Sequence, residues 1–155
     1  MTTDVDKGSW DDVWTQQFSE LEIWLLDKGF CLEVANDVVD CVYLKEKIVC
    51  IQARSRPESR YYSLLHECGH ILVAQRAAQW MKDVPMYAQD PQVQYDARRR
   101  RGKRYKVSLV AEEIEAWKRG RRLSNKMKHY IDKDKYDKLM SDCVYSYIEM
   151  VATTP

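Results

Sequence analysis

The sequence predicts an α+β protein in which a small three-stranded sheet accompanies four helices. Apolar residues recur at helical spacing in the segments 10–28, 58–81, 107–123 and 133–152. Between the first two of these segments, residues 30–53 form short β-branched and cysteine-containing runs separated by turn residues, which is typical of strands. The change of pattern from one kind of segment to the other indicates the mixed fold class.

The first predicted helix spans residues 10–28 and presents one apolar stripe to the core. The stripe consists of Trp10, Trp14, Phe18, Leu21 and Leu25. Ser9 is the expected N-cap, because its hydroxyl can accept a hydrogen bond from an amide of the first turn. Gly29 is the expected stop signal at the other end.

Residues 30–53 predict a small antiparallel sheet of three strands. The strands are 30–34, 38–44 and 48–53. Asn36-Asp37 and Lys45-Glu46-Lys47 separate them with residues that are typical of turns. We therefore expect the sheet to come directly before the second helix in the chain.

The second helical segment, residues 58–81, is apolar on nearly every side, which predicts a buried helix. It contains the HExxH motif His66-Glu67-Cys68-Gly69-His70. Histidines four residues apart lie one turn apart on one helical face, where both imidazoles can bind a single Zn²⁺ ion. Glu67 then lies beside the metal and can take a proton from a zinc-bound water. Gly69 leaves room for another segment to pass close to this helix.

Residues 82–106 predict a long basic loop, and residues 107–123 and 133–152 predict two further helices. The loop contains Pro85 and Pro91, and seven of the nine residues in 98–106 are basic. The C-terminal helix is expected to present an inner stripe of Tyr136, Leu139, Met140, Cys143, Val144, Tyr147 and Met150.

A catalytic zinc ion normally has three protein ligands and an open position for water, so one more ligand is expected. His129, the remaining histidine, lies in a polar turn and is a poor candidate. In the helix 107–123, Glu113 falls near the middle of the apolar arc, whereas Glu112 and Glu115 fall on the opposite, solvated side. A carboxylate in an apolar face needs a cation partner. The preferred interpretation is that Glu113 binds zinc, and a salt bridge from an Arg or Lys is the alternative.

The HExxH motif, followed downstream by Glu113-Ile114-Glu115-Ala116-Trp117, resembles the gluzincin arrangement of HExxH and ExxA. The order of elements over residues 30–123 is similar to minimal gluzincins of the ImmA/IrrE type and to small metallopeptidase-like proteins of phages and bacteria. The resemblance implies a minimal zincin-like fold in which the sheet packs on the HExxH helix. The implied zinc ligands are His66, His70 and Glu113, and the implied general base is Glu67. The family often has Asn or Asp where Trp117 stands, so any hydrogen bond that this residue makes in the family is missing here or is supplied from elsewhere.

The expected activity is therefore that of a zinc-dependent metallopeptidase. Zinc would polarise the scissile carbonyl, and Glu67 would pass a proton from water to the leaving amine. A further donor is needed for the oxyanion. The candidates are Tyr61, Tyr62, Tyr105 and His129. The resemblance also implies that an extended substrate pairs with the edge of the strand at 48–53.

Length and composition favour one domain over residues 1–155. The formal net charge of +1 argues against a partner held by bulk charge alone. No apolar run is long enough to span a membrane, and the acidic and polar residues 1–12 do not resemble a secretory signal. The five cysteines are odd in number and form no CxxC pair, which favours reduced thiols and a cytoplasmic protein.

Charge is unevenly distributed along the chain. Residues 1–75 carry a net charge of −6, whereas residues 76–128 carry +9. The cluster around Arg98, Arg99, Arg100 and Arg101 can bind nucleic-acid phosphates or an acidic partner, and a solvated loop is the alternative. Two other functions therefore stay open beside the peptidase. One is a weak or inactive zincin-fold interaction protein, and the other is a nucleic-acid-associated protein that uses residues 98–106.

Overall fold

The computed structural model describes residues 7–155 and confirms the α+β class, with seven helices and one three-stranded sheet in that range. The elements are α1 (Lys7–Asp27), β1 (Cys31–Ala35), β2 (Cys41–Tyr43), β3 (Ile48–Gln52), α2 (Pro57–Gln75), α3 (Ala77–Trp80), α4 (Pro91–Gln94), α5 (Ala97–Arg101), α6 (Lys103–Lys126) and α7 (Lys133–Thr153). None of the described helices combines the length and the apolarity that crossing a membrane requires. The start of the segment that was compared with a secretory signal, residues 1–6, lies outside the described residues.

The sheet is mixed, so the prediction of an antiparallel sheet is wrong. Its strand order is β1-β3-β2, and β3 pairs parallel with β1 and antiparallel with β2. The connection after β1 crosses to the far side of β3, where Oδ1 of Asp40 accepts a hydrogen bond from the amide of Gln52 at 2.7 Å. The most apolar strand takes the central position, since Val49, Cys50 and Ile51 are all buried. The strand that was expected to offer an edge to a substrate therefore has a partner on each side.

The chain divides into two compact units, and the division falls within α2, between Cys68 and Gly69. In the first unit, Trp14 of α1 packs against two buried tyrosines of α2, with ring centroids 5.9 Å from Tyr61 and 5.5 Å from Tyr62. Aromatic pairs at this spacing contribute packing beyond simple burial.

Helix α1 begins at Lys7, so Ser9 lies inside the helix and the prediction that it is the N-cap is wrong. The predicted stop at Gly29 is confirmed. Its φ of 84° is left-handed, and the amide of Phe30 returns to the carbonyl of Leu25 at 3.0 Å. Glycine adopts this conformation without the steric penalty that other residues meet, which explains why the helix ends here.

In the second unit, residues 82–106 are not the continuous loop that the prolines and arginines suggested. Two short helices interrupt this segment, each with an aspartate as its N-cap, and α6 begins at Lys103, four residues before its predicted start. Asp90 accepts a hydrogen bond from the amide of Gln92 before α4, and Asp96 accepts from two amides of α5. Aspartate is a strong N-cap, and this signal outweighs the loop-forming composition around it. Helix α2 ends at Gln75, six residues earlier than predicted, where Arg76 leaves the helical conformation.

The two long helices of the second unit, α6 and α7, pack against each other, and an aromatic pair lies in their contact. The hydroxyl of Tyr136 donates to the carbonyl oxygen of Trp117 at 2.5 Å, and the two rings meet edge to face with centroids 5.2 Å apart. Tyr136 and Val144 are the buried part of the predicted α7 stripe, whereas Met150 is 47% exposed and does not belong to it. Trp117 is thus a core residue of this unit.

Candidate metal centre

The HExxH residues lie on α2, in the buried part of the helix. His66, Glu67 and His70 are 7%, 4% and 8% exposed. Since the two histidines are one turn apart on a continuous helix, their side chains leave it in the same direction. One ligand atom from each of His66, His70 and Glu113 lies within 4.8 Å of the other two. The structure thus brings together the three residues that were predicted to bind the metal.

The close approach of α2 and α6 explains how Glu113 reaches the second histidine. A Cβ atom built on Gly69 would lie 1.8 Å from the carbonyl oxygen of Ala116, so the two backbones are in direct contact. The guanidinium of Arg119 adds a second connection, because it donates to the carbonyl of Leu72 at 2.9 Å. The prediction that Gly69 makes room for another segment is confirmed, and that segment is the helix that carries Glu113.

Glu113 is held between two partners. Its Oε1 lies 3.1 Å from Nε2 of His70, and its Oε2 accepts a weak hydrogen bond from the thiol of Cys143 at 3.9 Å. The carboxylate is only 3% exposed. The thiol on α7 thus fixes one oxygen, while the other oxygen faces the imidazole nitrogen that would bind a metal.

Glu112 was predicted to be solvated, and this prediction is wrong. It is 1% exposed, and its Oε1 lies 3.4 Å from Nδ1 of His70. The apolar arc of α6 is wider than its hydrophobic residues indicate, because a row of mostly small side chains at every fourth position is also buried. The row is Ser108, Glu112, Ala116, Gly120 and Ser124. The regular four-residue spacing of these small residues could have predicted that Glu112 is buried.

Glu115 is the one carboxylate of the three that turns away from the site. Its side chain is 18% exposed, and its Oε1 accepts from Nε of Arg119 at 2.8 Å and from Arg122 at 3.3 Å. The salt bridge that was the alternative for Glu113 is therefore found at Glu115 instead.

Two tyrosines experience the charge of Glu112. Burial, then the charges of Glu112 and Asp90, raise the pKa of Tyr87 to about 12. The pKa of Tyr105 is also raised, by burial and by Glu112, against an opposing effect of Arg100. Both phenols therefore stay protonated at neutral pH and can donate hydrogen bonds. Tyr105 was among the predicted oxyanion donors, and that role stays a prediction. Tyr87 was not among them, because no local motif marks it.

The other predicted donors have different surroundings. Tyr61 and Tyr62 pack against Trp14, and the hydroxyl of Tyr62 donates to Glu58 at 2.8 Å. His129 is buried in the turn after α6, where its amide donates to the carbonyl of Ser124 at 2.9 Å.

Cys68 lies inside the motif but does not behave as a nucleophile. It is fully buried, and burial together with the charge of Glu67 raises the pKa of its thiol well above the ordinary value. A protonated, buried thiol is neither a good metal ligand nor a reactive group. The chemistry of this site therefore rests on imidazoles and carboxylates.

The donor set of His66, His70 and Glu113 could hold a divalent metal ion. Two imidazoles and one carboxylate are a common set for catalytic zinc, which binds each donor at about 2.0–2.1 Å. Donors that share such an ion lie roughly 3.4 Å apart, close to the 3.1 Å between His70 and Glu113. In addition, Oε2 of Glu112 is buried and has no hydrogen-bond partner among the described residues, so its burial is unfavourable without a partner. A cation offsets the cost of burying it.

Comparison with known proteins identifies no relative, so the candidate metal site is supported by its own geometry alone. No family model, curated protein or solved structure matches the chain.

Proposed function

We propose that the protein is a zinc-dependent metallopeptidase of the minimal zincin-like type, with His66, His70 and Glu113 as the zinc ligands. The contact between Nε2 of His70 and Oε1 of Glu113, at 3.1 Å, carries the proposal. It joins the HExxH helix to the helix that supplies the downstream glutamate. Zinc, when bound, would supply Lewis acidity and a water of lowered pKa.

Glu67 is the proposed general base. It follows the first ligand in the chain, is 4% exposed, and its Oε1 lies 3.5 Å from Nδ1 of His66. A carboxylate that is shielded from bulk water holds an abstracted proton more readily than a solvated one. Glu67 would take the proton from the attacking water and deliver it to the leaving amine.

Glu112 and Cys143 are the proposed positioning residues. If Nδ1 of His70 carries the proton, that N–H donates to Glu112 and leaves Nε2 as the metal-binding nitrogen. The thiol of Cys143 orients the carboxylate of Glu113 from the other side. These contacts supply the kind of support that Asn or Asp provides at the position of Trp117 in the family that the sequence resembles.

Tyr87 and Tyr105 are the proposed donors to the oxyanion. Both phenols are subject to the charge of Glu112, and the raised pKa of each keeps the donor proton in place. A positioned donor of this kind stabilises the negative charge that develops on the carbonyl oxygen.

The test combines metal content with peptide hydrolysis on the same preparations. We expect one zinc ion per chain in wild-type protein after metal reconstitution, loss of zinc in Glu113→Ala, and retention in the control Glu115→Gln. Glu67→Gln should keep zinc but lose cleavage of a mixed library of denatured proteins, scored by new amino termini. Absence of zinc from the reconstituted wild type contradicts the metal site. Zinc without cleavage favours the alternative of an inactive interaction protein.

A further inference from the structure

A groove in the second unit lies where α5 ends and α6 begins, and we name it the basic groove. It has a volume of about 1060 Å³ and is lined by Met86, Asp96, Arg98, Arg99, Gly102, Lys103 and Arg104. The four cationic side chains come from two consecutive helices that meet at Gly102. The predicted basic segment is therefore a formed concave surface.

The positive charge of the basic groove is largely uncompensated by its own lining. Asp96 is the single acidic residue among the lining residues, and it already caps α5 with Oδ1 and pairs with Nε of Arg99 through Oδ2 at 3.3 Å. Residues 98–106 contain seven cations and no acid. Close cations repel one another, so this arrangement favours a ligand with several negative charges.

The start of α6 adds a second unfavourable arrangement of positive charge. Lys103, Arg104 and Lys106 occupy the first turn, and the N-cap, Gly102, offers no side-chain hydrogen bond. Cations at a helix N-terminus face the positive end of the helix dipole, which is unfavourable. An anion in the basic groove would relieve both the repulsion between side chains and this unfavourable placement.

Two observations favour phosphates of a nucleic acid over the carboxylates of an acidic peptide. Five of the seven cations are arginines, whose planar fork suits phosphate oxygens. The residue before the capping Asp96 is Tyr95, whose side chain is 89% exposed. An exposed aromatic ring that is adjacent in sequence to a lining residue of a cationic groove is suited to stack on an unpaired base. An acidic peptide makes no comparable use of the ring.

We propose that the basic groove binds single-stranded nucleic acid, with backbone phosphates on Arg98, Arg99, Lys103 and Arg104 and a base stacked on Tyr95. Recognition is by phosphate charge and stacking, so little sequence preference is expected. The proposal stands on residues 86–104 and does not depend on the metallopeptidase activity.

The experiment measures fluorescence anisotropy of a labelled oligothymidylate of about 12 nucleotides, a length within the usual site size. Arg98→Gln/Arg104→Gln is compared with Lys118→Gln/Lys126→Gln, which removes the same charge from exposed positions farther along α6. We expect the groove variant to bind about tenfold more weakly and its salt slope to fall by about 1.4, as loss of two phosphate contacts requires. The control variant should keep the wild-type slope.

Tyr95→Ala provides the second measurement, because this exposed residue can be changed without affecting the core. It should lower affinity about tenfold and leave the salt slope unchanged, as loss of one stacked base does. Equal weakening of binding in the groove and control variants would overturn the proposal, since net charge alone would then explain it. Tighter binding of a polyglutamate peptide than of the oligothymidylate, with no effect of Tyr95→Ala, would also overturn it and indicate an acidic protein partner.

Discussion

The carbonyl oxygen of Ala116 occupies the place where a side chain on Gly69 would begin, 1.8 Å from an ideal Cβ atom. Helix α6 thus lies against α2 at the residue before His70, and Glu113 is one turn away from Ala116 on the same helix. This contact between backbones sets the distance between Glu113 and His70.

Gly69→Ala should therefore disturb both stability and the metal site. A methyl group cannot fit without moving a backbone, so we expect the free energy of unfolding to fall by about 3 kcal/mol or more. Gly102→Ala is the control, because its Cβ would lie 3.2 Å from the carbonyl of Arg99 in an exposed turn. Urea unfolding and zinc content of both variants test the prediction. A Gly69→Ala protein with wild-type stability would show that the helices do not touch here.

Removal of the carboxylate of Glu112 should weaken metal binding although Glu112 is not a ligand. It lies 3.4 Å from Nδ1 of His70 and would hold the imidazole in the metal-binding tautomer. We expect Glu112→Ala to lower zinc affinity about 10–100-fold in a chelator competition, and Glu112→Gln to lower it less, since an amide oxygen can still accept. Unchanged affinity in Glu112→Ala, beside the Glu115→Gln control, would remove Glu112 from the site.

Tyr87→Phe should reduce turnover without loss of metal. The phenol is a proposed oxyanion donor, and removal of one such donor costs about 10²–10³ in kcat. The pKa of Tyr87, raised to about 12, also means that its ionisation should not appear in the pH–rate profile below about pH 11. Tyr105→Phe is measured in parallel to separate the two candidates. If both variants cleave at the wild-type rate, neither phenol supports the reaction.

Asp137 should stabilise the protein at neutral pH and lose that effect in acid. Its hydrogen bond with Lys133, at 2.7 Å, is the main cause of a lowered pKa, and Arg121 adds to the shift. A carboxyl group with a lowered folded pKa contributes stability above its unfolded pKa, and this contribution disappears as the pH falls through the folded value. Since the side chain is 38% exposed, the contribution should stay below about 1 kcal/mol.

The measurement for Asp137 is the thermal midpoint of Asp137→Asn against wild type between about pH 7 and pH 2. The difference should be largest at neutral pH and should shrink below about pH 4. Asp142→Asn is the matched control, because Asp142 is 63% exposed and, in the part of the chain that the structure describes, pairs with Lys138 of the same helix. A difference that grows toward low pH would contradict the assigned direction of the pKa shift.

Residues with local periodicity were predictable from the sequence, and the three residues of the candidate metal site, His66, His70 and Glu113, belong to this group. The spacing of His66 and His70 requires only a helix, and Glu113 follows from the phase of its apolar neighbours. The burial of Glu112 was not predicted, because the width of the buried arc of a helix depends on the segments that pack against it. Local hydrophobicity does not contain this information. Its neighbours in the buried row are small rather than hydrophobic.

Pairing between distant segments was not predictable. The runs that form β1, β2 and β3 were predicted close to their true positions. Their order in the sheet depends on where the connection after β1 crosses, and the hydrogen bond from the amide of Gln52 to Asp40 holds this crossing in place. Similarly, the composition of residues 82–106 indicated a loop, whereas single aspartates at positions 90 and 96 start short helices there. A side chain that caps a helix carries more structural information than the average composition around it.

The buried row on α6 joins structural and chemical roles in one line of side chains. Ala116 contacts α2, and Glu112, one turn earlier in the same row, supports the histidine. A larger residue at position 116 would push α6 outward and carry both glutamates with it. This face of the helix therefore has little freedom to vary by small steps, because overpacking at one position of the row displaces the others.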